Sequence, residues 1–136
     1  MATETKQVTL TWQEGLSFRG GEPGKSPILI DGDNIAGPGP MVTLLLAAAS
    51  CTGSDVVVIL QKMQVPFSTL SIDVSGIRRE AEPRRYTAIH LEYRIGGTGI
   101  DLAKARRAID LSLDKYCSVI HSLAPDIAIT YALSLG

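Results

Sequence analysis

A chain of 136 residues, 45% hydrophobic and 20% charged, suits one folded domain over residues 1–136 and excludes a disordered tail or a polar linker. Thirteen basic residues against 14 acidic ones leave a formal charge of -1, so there is no overall attraction to a phosphate backbone and nucleic acid is not an expected partner. Two cysteines with no CxxC pair exclude a disulfide scaffold and a four-cysteine metal site.

Residues 1–6 carry no apolar region behind a basic head, so no secretory leader is expected and the protein is read as cytoplasmic. Within KQVTLTWQ at 6–13, Val8, Leu10 and Trp12 share one face, which predicts a half-buried strand with Trp12 in the core. Glu14-Gly15 reads as a turn and Leu16-Ser17-Phe18 as a short return strand, broken by Gly20, Gly21, Pro23 and Gly24. Pro27 to Ile30 predicts a third short strand, ended by Asp31-Gly32-Asp33-Asn34. The GPGP run at 37–40 then delivers the chain to a helix start.

That helix is predicted from about Met41 to Met63. Its core, MVTLLLAAASCTGSDVVVIL, is about as long as a membrane span, but Asp55 in its midst is costly in lipid and no second span accompanies it. No membrane association is expected. The run is read as the central buried helix of a soluble protein, with Ala47-Ala48-Ala49 allowing close approach and Pro66 ending it.

Two longer strands are predicted near Leu70–Glu80 and Arg84–Ile95. In the second, Ile89, Leu91, Tyr93 and Ile95 share one face while His90, Glu92 and Arg94 share the other. From Asp101 to Tyr116, Leu102, Ala105, Ile109 and Leu113 recur at helical spacing. Ser118 to Leu123 predicts a second helical piece and Ile127 to Leu133 a closing strand. Strands and helices that segregate in this way predict an α+β fold with an antiparallel sheet. A helix apolar on nearly every side needs more cover than one small sheet, and a second copy of the chain is the expected source, as a two-fold homodimer.

Cys51 lies in the middle of the long helix, with Asp55 one turn further on and facing the same way. Cys117 ends the later helical segment. The two cysteines read either as inert core residues or as a functional pair. A metal set completed by His121 is the lesser reading, because a structural zinc takes four ligands and no metal is expected. Gly96, Gly97 and Gly99 do not form GxGxxG, so no dinucleotide cofactor is expected. His90 reads as a surface imidazole, and Arg78, Arg79, Arg84 and Arg85 as solvated charge around a hairpin turn, as a steer for an anion, or as partners for Asp55 of a second copy.

Three runs carry a resemblance: GPGPMVTLLLAAASCTGSDVVVILQKM at 37–63, GIRREAEPRRYT at 76–87, and DLSLDKYCSVIHSL at 110–123. Together they resemble the osmotically inducible protein C and organic hydroperoxide resistance superfamily, closest to its branch of uncharacterised bacterial OsmC-like proteins. The resemblance implies an intertwined homodimer in which a strongly curved antiparallel sheet packs on long central helices. It implies a thiol-dependent peroxidase of organic or fatty-acid hydroperoxides, with Cys51 as the attacking thiolate and Cys117 as the resolving thiol. A small or protein-bound dithiol would reduce the resulting disulfide. In active relatives an arginine, held by a glutamate at the start of the central helix, stabilises the thiolate. Here Arg19 lies where that arginine is expected, Met41 or Val42 stands where the glutamate falls, and Asp55 is the candidate replacement for the clamp. The rival expectation is a non-enzymatic member that binds a small apolar ligand in the dimer crevice.

Overall fold

The computed structural model describes residues 3–136. Strands β1 (Thr9–Glu14), β2 (Ser17–Gly21) and β3 (Ile28–Asp31) precede helix α1 (Pro40–Lys62). Strands β4 (Thr69–Arg78) and β5 (Tyr86–Gly96) follow, then α2 (Leu102–Leu111), a π-helical turn (Ser112–Tyr116), α3 (Ser118–His121) and β6 (Ala128–Leu135). The chain forms two compact units, one ending at Leu44 and the other spanning Leu45–Gly136.

In the first unit β1, β2 and β3 make an antiparallel sheet in chain order, with Trp12 opposite Phe18 and Phe18 opposite Ile30. Gly15, at φ +53°, makes the tight turn between the first two strands. The return strand continues through Gly20 instead of breaking there. A Cβ on Gly20 would lie 2.9 Å from Leu10 Cδ1, so the missing side chain gives the neighbouring strand its room. Trp12 is not a core residue. It is 63% exposed, and its Nε1–H donates to the Gly15 carbonyl at 2.9 Å. Alternation marks a common face, but it does not supply a layer to cover that face.

Asp31 ends β3 as a buried carboxylate. It accepts from the backbone N–H groups of Ala36, Asp33 and Ile35, and these bonds, Ala36 foremost, hold its carboxyl below the usual carboxylate range. Asn34 Oδ1 then accepts from Gly39 N–H, and Pro40 opens α1 with its fixed φ at a position where no N–H is needed.

Helix α1 ends as its sequence predicts, within a residue. Gln64 adopts φ +59°, the Val65 N–H reaches the Leu60 carbonyl and the Gln64 N–H reaches that of Gln61, which together form a Schellman cap. The helix is not buried all round, however. Its buried residues are one row at four-residue spacing, Ala48, Thr52, Val56 and Leu60, and only 17% of its most apolar stretch is covered. Thr52 of that row bonds Tyr93 of β5, and Ala48 packs with Cys117 and Ile120. A Cβ on Gly53 would already stand 3.3 Å from Ile72 Cδ1 of β4, so a glycine costly to a helix interior serves close approach. Leu60 is fully buried at the end of the row, and Leu60→Ala is expected to destabilise the fold by about 2–5 kcal/mol, read from urea unfolding.

The second sheet has the order β4–β5–β6. As expected, Ile89, Leu91, Tyr93 and Ile95 of β5 are buried on one face. β4 and β5 are antiparallel, but β6 runs parallel to β5 from Ala88↔Ala128 to Ile95↔Leu135. The expected single curved antiparallel sheet is therefore corrected: among the described residues the strands form two separate open three-stranded sheets, β1–β2–β3 and β4–β5–β6, and the second is mixed, within an α+β fold. Between β5 and β6 stand α2, the π turn and α3, and a crossover through helices returns the chain in the same direction. Counting strands and helices as segregated overlooked that this strand–helix–strand passage is a parallel connection.

Candidate active site

The second unit brings three of the predicted site residues together. Cys51 and Asp55 project from α1 one turn apart, and Cys117 meets them from the other side. The two sulfurs and a carboxylate oxygen all lie within 4.8 Å of one another. Both cysteines are free thiols, Cys51 half-buried and Cys117 fully buried. Ala48, Ile120, Leu113, Val119 and Ile129 pack around them.

The approach of Cys117 depends on a feature the sequence did not announce. The helical spacing that starts at Leu102 predicts one helix to Tyr116, but α2 gives way at Ser112 to a π-helical turn closed by the Cys117 N–H on the Ser112 carbonyl at 2.8 Å. One extra residue in the turn shifts the helix phase before Cys117. Cys117 then leaves the helical conformation (φ -71°, ψ 96°) and starts α3. Burial pushes its thiol up to about 11, the nearby Cys51 and Asp55 push the same way, and the Ile120 backbone N–H works against them.

Behind the thiols runs a polar chain through the core. Ser112 Oγ donates to Asp55 Oδ2 at 2.9 Å, Thr52 Oγ1 lies 2.7 Å from Ser112 Oγ, and Tyr93 Oη lies 2.8 Å from Thr52 Oγ1. Thr52, Ser112 and Tyr93 are each almost wholly buried. Burial pushes the Tyr93 phenol up to about 12, so it keeps its proton at neutral pH. None of these three was singled out from the sequence. The signal was available: Ser112 follows Ala105, Ala108 and Ile109 on the inward row of α2, and a polar residue on a buried row is the informative exception.

Asp55 also faces outward. A cavity of about 550 Å³ is lined by Asp55, Ser54, Val58, Ile59, Lys62, Leu111 and Tyr116. Its walls are mostly apolar, with the carboxylate and the Lys62 ammonium as its charged groups. His121, the ligand of the lesser metal reading, is not brought into this cluster, and its Nε2 lies 3.0 Å from the Leu113 carbonyl. Cys51, Cys117 and Asp55 together offer one donor fewer than a structural zinc takes. His90 sits on the polar face of β5, bonded to Thr130 Oγ1 at 2.7 Å, and Arg85 pairs with Asp126 at 2.6 Å. Arg19 lies on β2 in the first unit, between Thr11 and Leu29, with its side chain exposed.

The OsmC-like protein family model matches residues 31–132, which include Cys51, Asp55 and Cys117 and leave Arg19 outside. The Escherichia coli K12 protein YhfA is 38% identical over 127 residues, 93% of this chain and 95% of that protein. A solved structure of an Aquifex aeolicus VF5 protein superposes with a TM-score of 0.85 at 29% identity, over 98% of this chain and 99% of the other. The Legionella pneumophila organic hydroperoxide resistance protein OsmC shares the fold, with a TM-score of 0.71 at 11% identity over 98% of this chain and 99% of the other.

Proposed function

Because the chain belongs to the OsmC-like protein family, we propose that it is a cytoplasmic, homodimeric thiol peroxidase that reduces organic hydroperoxides through Cys51 and Cys117. The observation that carries this reading is the meeting of a half-buried and a fully buried thiol within 4.8 Å, beside a carboxylate and next to an apolar cavity. Cys51 is the attacking group because it is the less buried of the two thiols. Its thiolate takes the distal oxygen, the O–O bond breaks, an alcohol leaves and Cys51 becomes a sulfenic acid. Cys117 then displaces the hydroxyl as water and the pair becomes a disulfide, which a small or protein-bound dithiol reduces.

The name of the Legionella protein, organic hydroperoxide resistance protein, supports the substrate class, and the apolar walls around Asp55 suit an alkyl or acyl chain. Exposed apolar residues on α1, Leu46 and Val58, support pairing with a second copy. Arg19 enters through the resemblance alone, as the cation expected to favour the Cys51 thiolate, and Arg19→Gln is expected to slow thiol loss. The test is one equivalent of cumene hydroperoxide added to fully reduced protein. The expected product is a chain about two daltons lighter in intact mass, with one peptide-mapped disulfide between Cys51 and Cys117. A reduced chain after that treatment, together with saturable fatty-acid binding, would favour the apolar-ligand reading instead.

A further inference from the structure

We propose that Cys51, Cys117 and Asp55 form a three-donor site for a thiophilic divalent cation, zinc in the first place. The ion binds the reduced protein and masks both thiols, and Ser112 is a positioning residue for the carboxylate. This goes beyond the peroxidase reading and stands whether or not the thiols meet a hydroperoxide.

The structure puts Asp55, and not His121, third beside the two sulfurs, with all three donor atoms within 4.8 Å of one another. At Zn–S near 2.3 Å and Zn–O near 2.1 Å, the ligand atoms of a tetrahedral ion stand roughly 3.5–3.8 Å apart, so each donor here has to move by less than about 1 Å. The donors also have fixed addresses. Cys51 and Asp55 stand one turn apart on α1, the spacing by which one helix face presents two ligands, and Cys117 enters from the junction of the π turn with α3. Two thiolates in the set select zinc over magnesium or calcium. Three protein donors leave a fourth position, and the cavity that Asp55 lines gives the ion a way in and a place for the water that completes its coordination.

The surroundings are those of a metal ligand set. Ligating carboxylates are held by hydrogen bonds from outside the set, and Ser112 Oγ donates to Asp55 Oδ2 at 2.9 Å, which fixes the carboxylate plane and leaves Oδ1 open. Ser112 is itself held by Thr52, and Thr52 by Tyr93, all three almost wholly buried. Ala48, Leu113 and Ile120 close an apolar shell around the sulfurs. Among the described residues every ion pair uses another carboxylate, so Asp55 has no ion-pair partner. Three groups that can each carry negative charge oppose one another when crowded together, and a shared dication removes that opposition. As each Zn–S bond forms, the thiol proton passes to solvent. With both sulfurs bonded to the metal, neither is free to attack an electrophile.

The test titrates Co2+, then Zn2+, into fully reduced protein under nitrogen. One tetrahedral cobalt per chain is expected, seen as intense visible bands with a sulfur-to-cobalt charge-transfer band in the near ultraviolet, and one equivalent of Zn2+ is expected to bleach both. Zn2+ alone is expected to slow the reaction of the thiols with dithiobis(nitrobenzoate) about 100-fold, and EDTA to restore it. Asp55→Asn is expected to weaken zinc about 100-fold, read by competition with a chromogenic chelator. Ser112→Ala is expected to weaken it about 10- to 100-fold while the charge-transfer band per bound cobalt stays the same, a split that a residue which only fills space would not give. Octahedral cobalt with no charge-transfer band overturns the site, and the wild-type spectrum decides this even if the variants do not fold. Unchanged zinc affinity in folded Asp55→Asn overturns the three-donor assignment. No peroxide is present, so the two readings fail separately. A protein that binds cobalt through sulfur but is inert to hydroperoxides would sink the peroxidase reading alone, and one that hydroperoxide oxidises rapidly but that gives no charge-transfer band would sink the metal site alone.

Discussion

Cys51→Ser is expected to abolish hydroperoxide turnover, bringing peroxide consumption down to that of buffer alone. A serine hydroxyl does not ionise near neutral pH and has none of the polarisable thiolate character that attacks an O–O bond, while the remaining sulfur of Cys117 is buried away from substrate. Cys117→Ser divides the cycle at its other step. Cys51 still reacts once, but no thiol follows, so a sulfenic acid accumulates that dimedone traps and that excess hydroperoxide carries on to sulfinic acid. Mass spectrometry of the two variants after one equivalent of cumene hydroperoxide separates the roles. Wild-type turnover in both variants would contradict the assignment of either cysteine.

The second large effect concerns alkaline stability. Burial raises the Cys117 thiol from an ordinary 9.0 to about 11 and the Tyr93 phenol from 10.0 to about 12. Between the ordinary and the raised value the unfolded chain has released a proton that the folded chain still holds, so unfolding gains as pH rises. Stability from these two groups is complete below about pH 9 and drains away up to about pH 12. By pH 11 the loss is on the order of 3 kcal/mol, a large share of a typical domain's 5–15. Urea unfolding followed by circular dichroism at pH 8, 10 and 11 measures it. Tyr93→Phe, which has no phenol to ionise, is expected to start less stable at pH 8 and to lose less above pH 10. Parallel curves for wild type and variant would contradict the burial account.

Much of this arrangement was legible before any coordinates. The α1 boundaries, the two faces of β5, and the shared orientation of Cys51 and Asp55 follow from periodicity and capping residues. What was not legible depended on long-range placement. Pairing of β6 with β5 is decided by a crossover and not by the content of either strand. The exposure of Trp12 depends on cover that alternation does not encode. The π turn at Ser112 arises inside a sequence with unbroken helical spacing, and it is this turn that carries Cys117 to α1. Thr52, Ser112 and Tyr93 lie 41 to 60 residues apart where they bond, so no local pattern joins them.

The most direct measurement of the account is the rate of thiol loss when fully reduced protein meets one equivalent of an organic hydroperoxide, beside the same experiment with hydrogen peroxide and with free cysteine at equal pH. The account predicts loss of both thiols far faster than free cysteine, and faster with the organic peroxide than with hydrogen peroxide, because the apolar walls next to Asp55 bind the organic group. Loss no faster than that of free cysteine would contradict it, since Cys51 would then be a thiol with a neighbour but no activation.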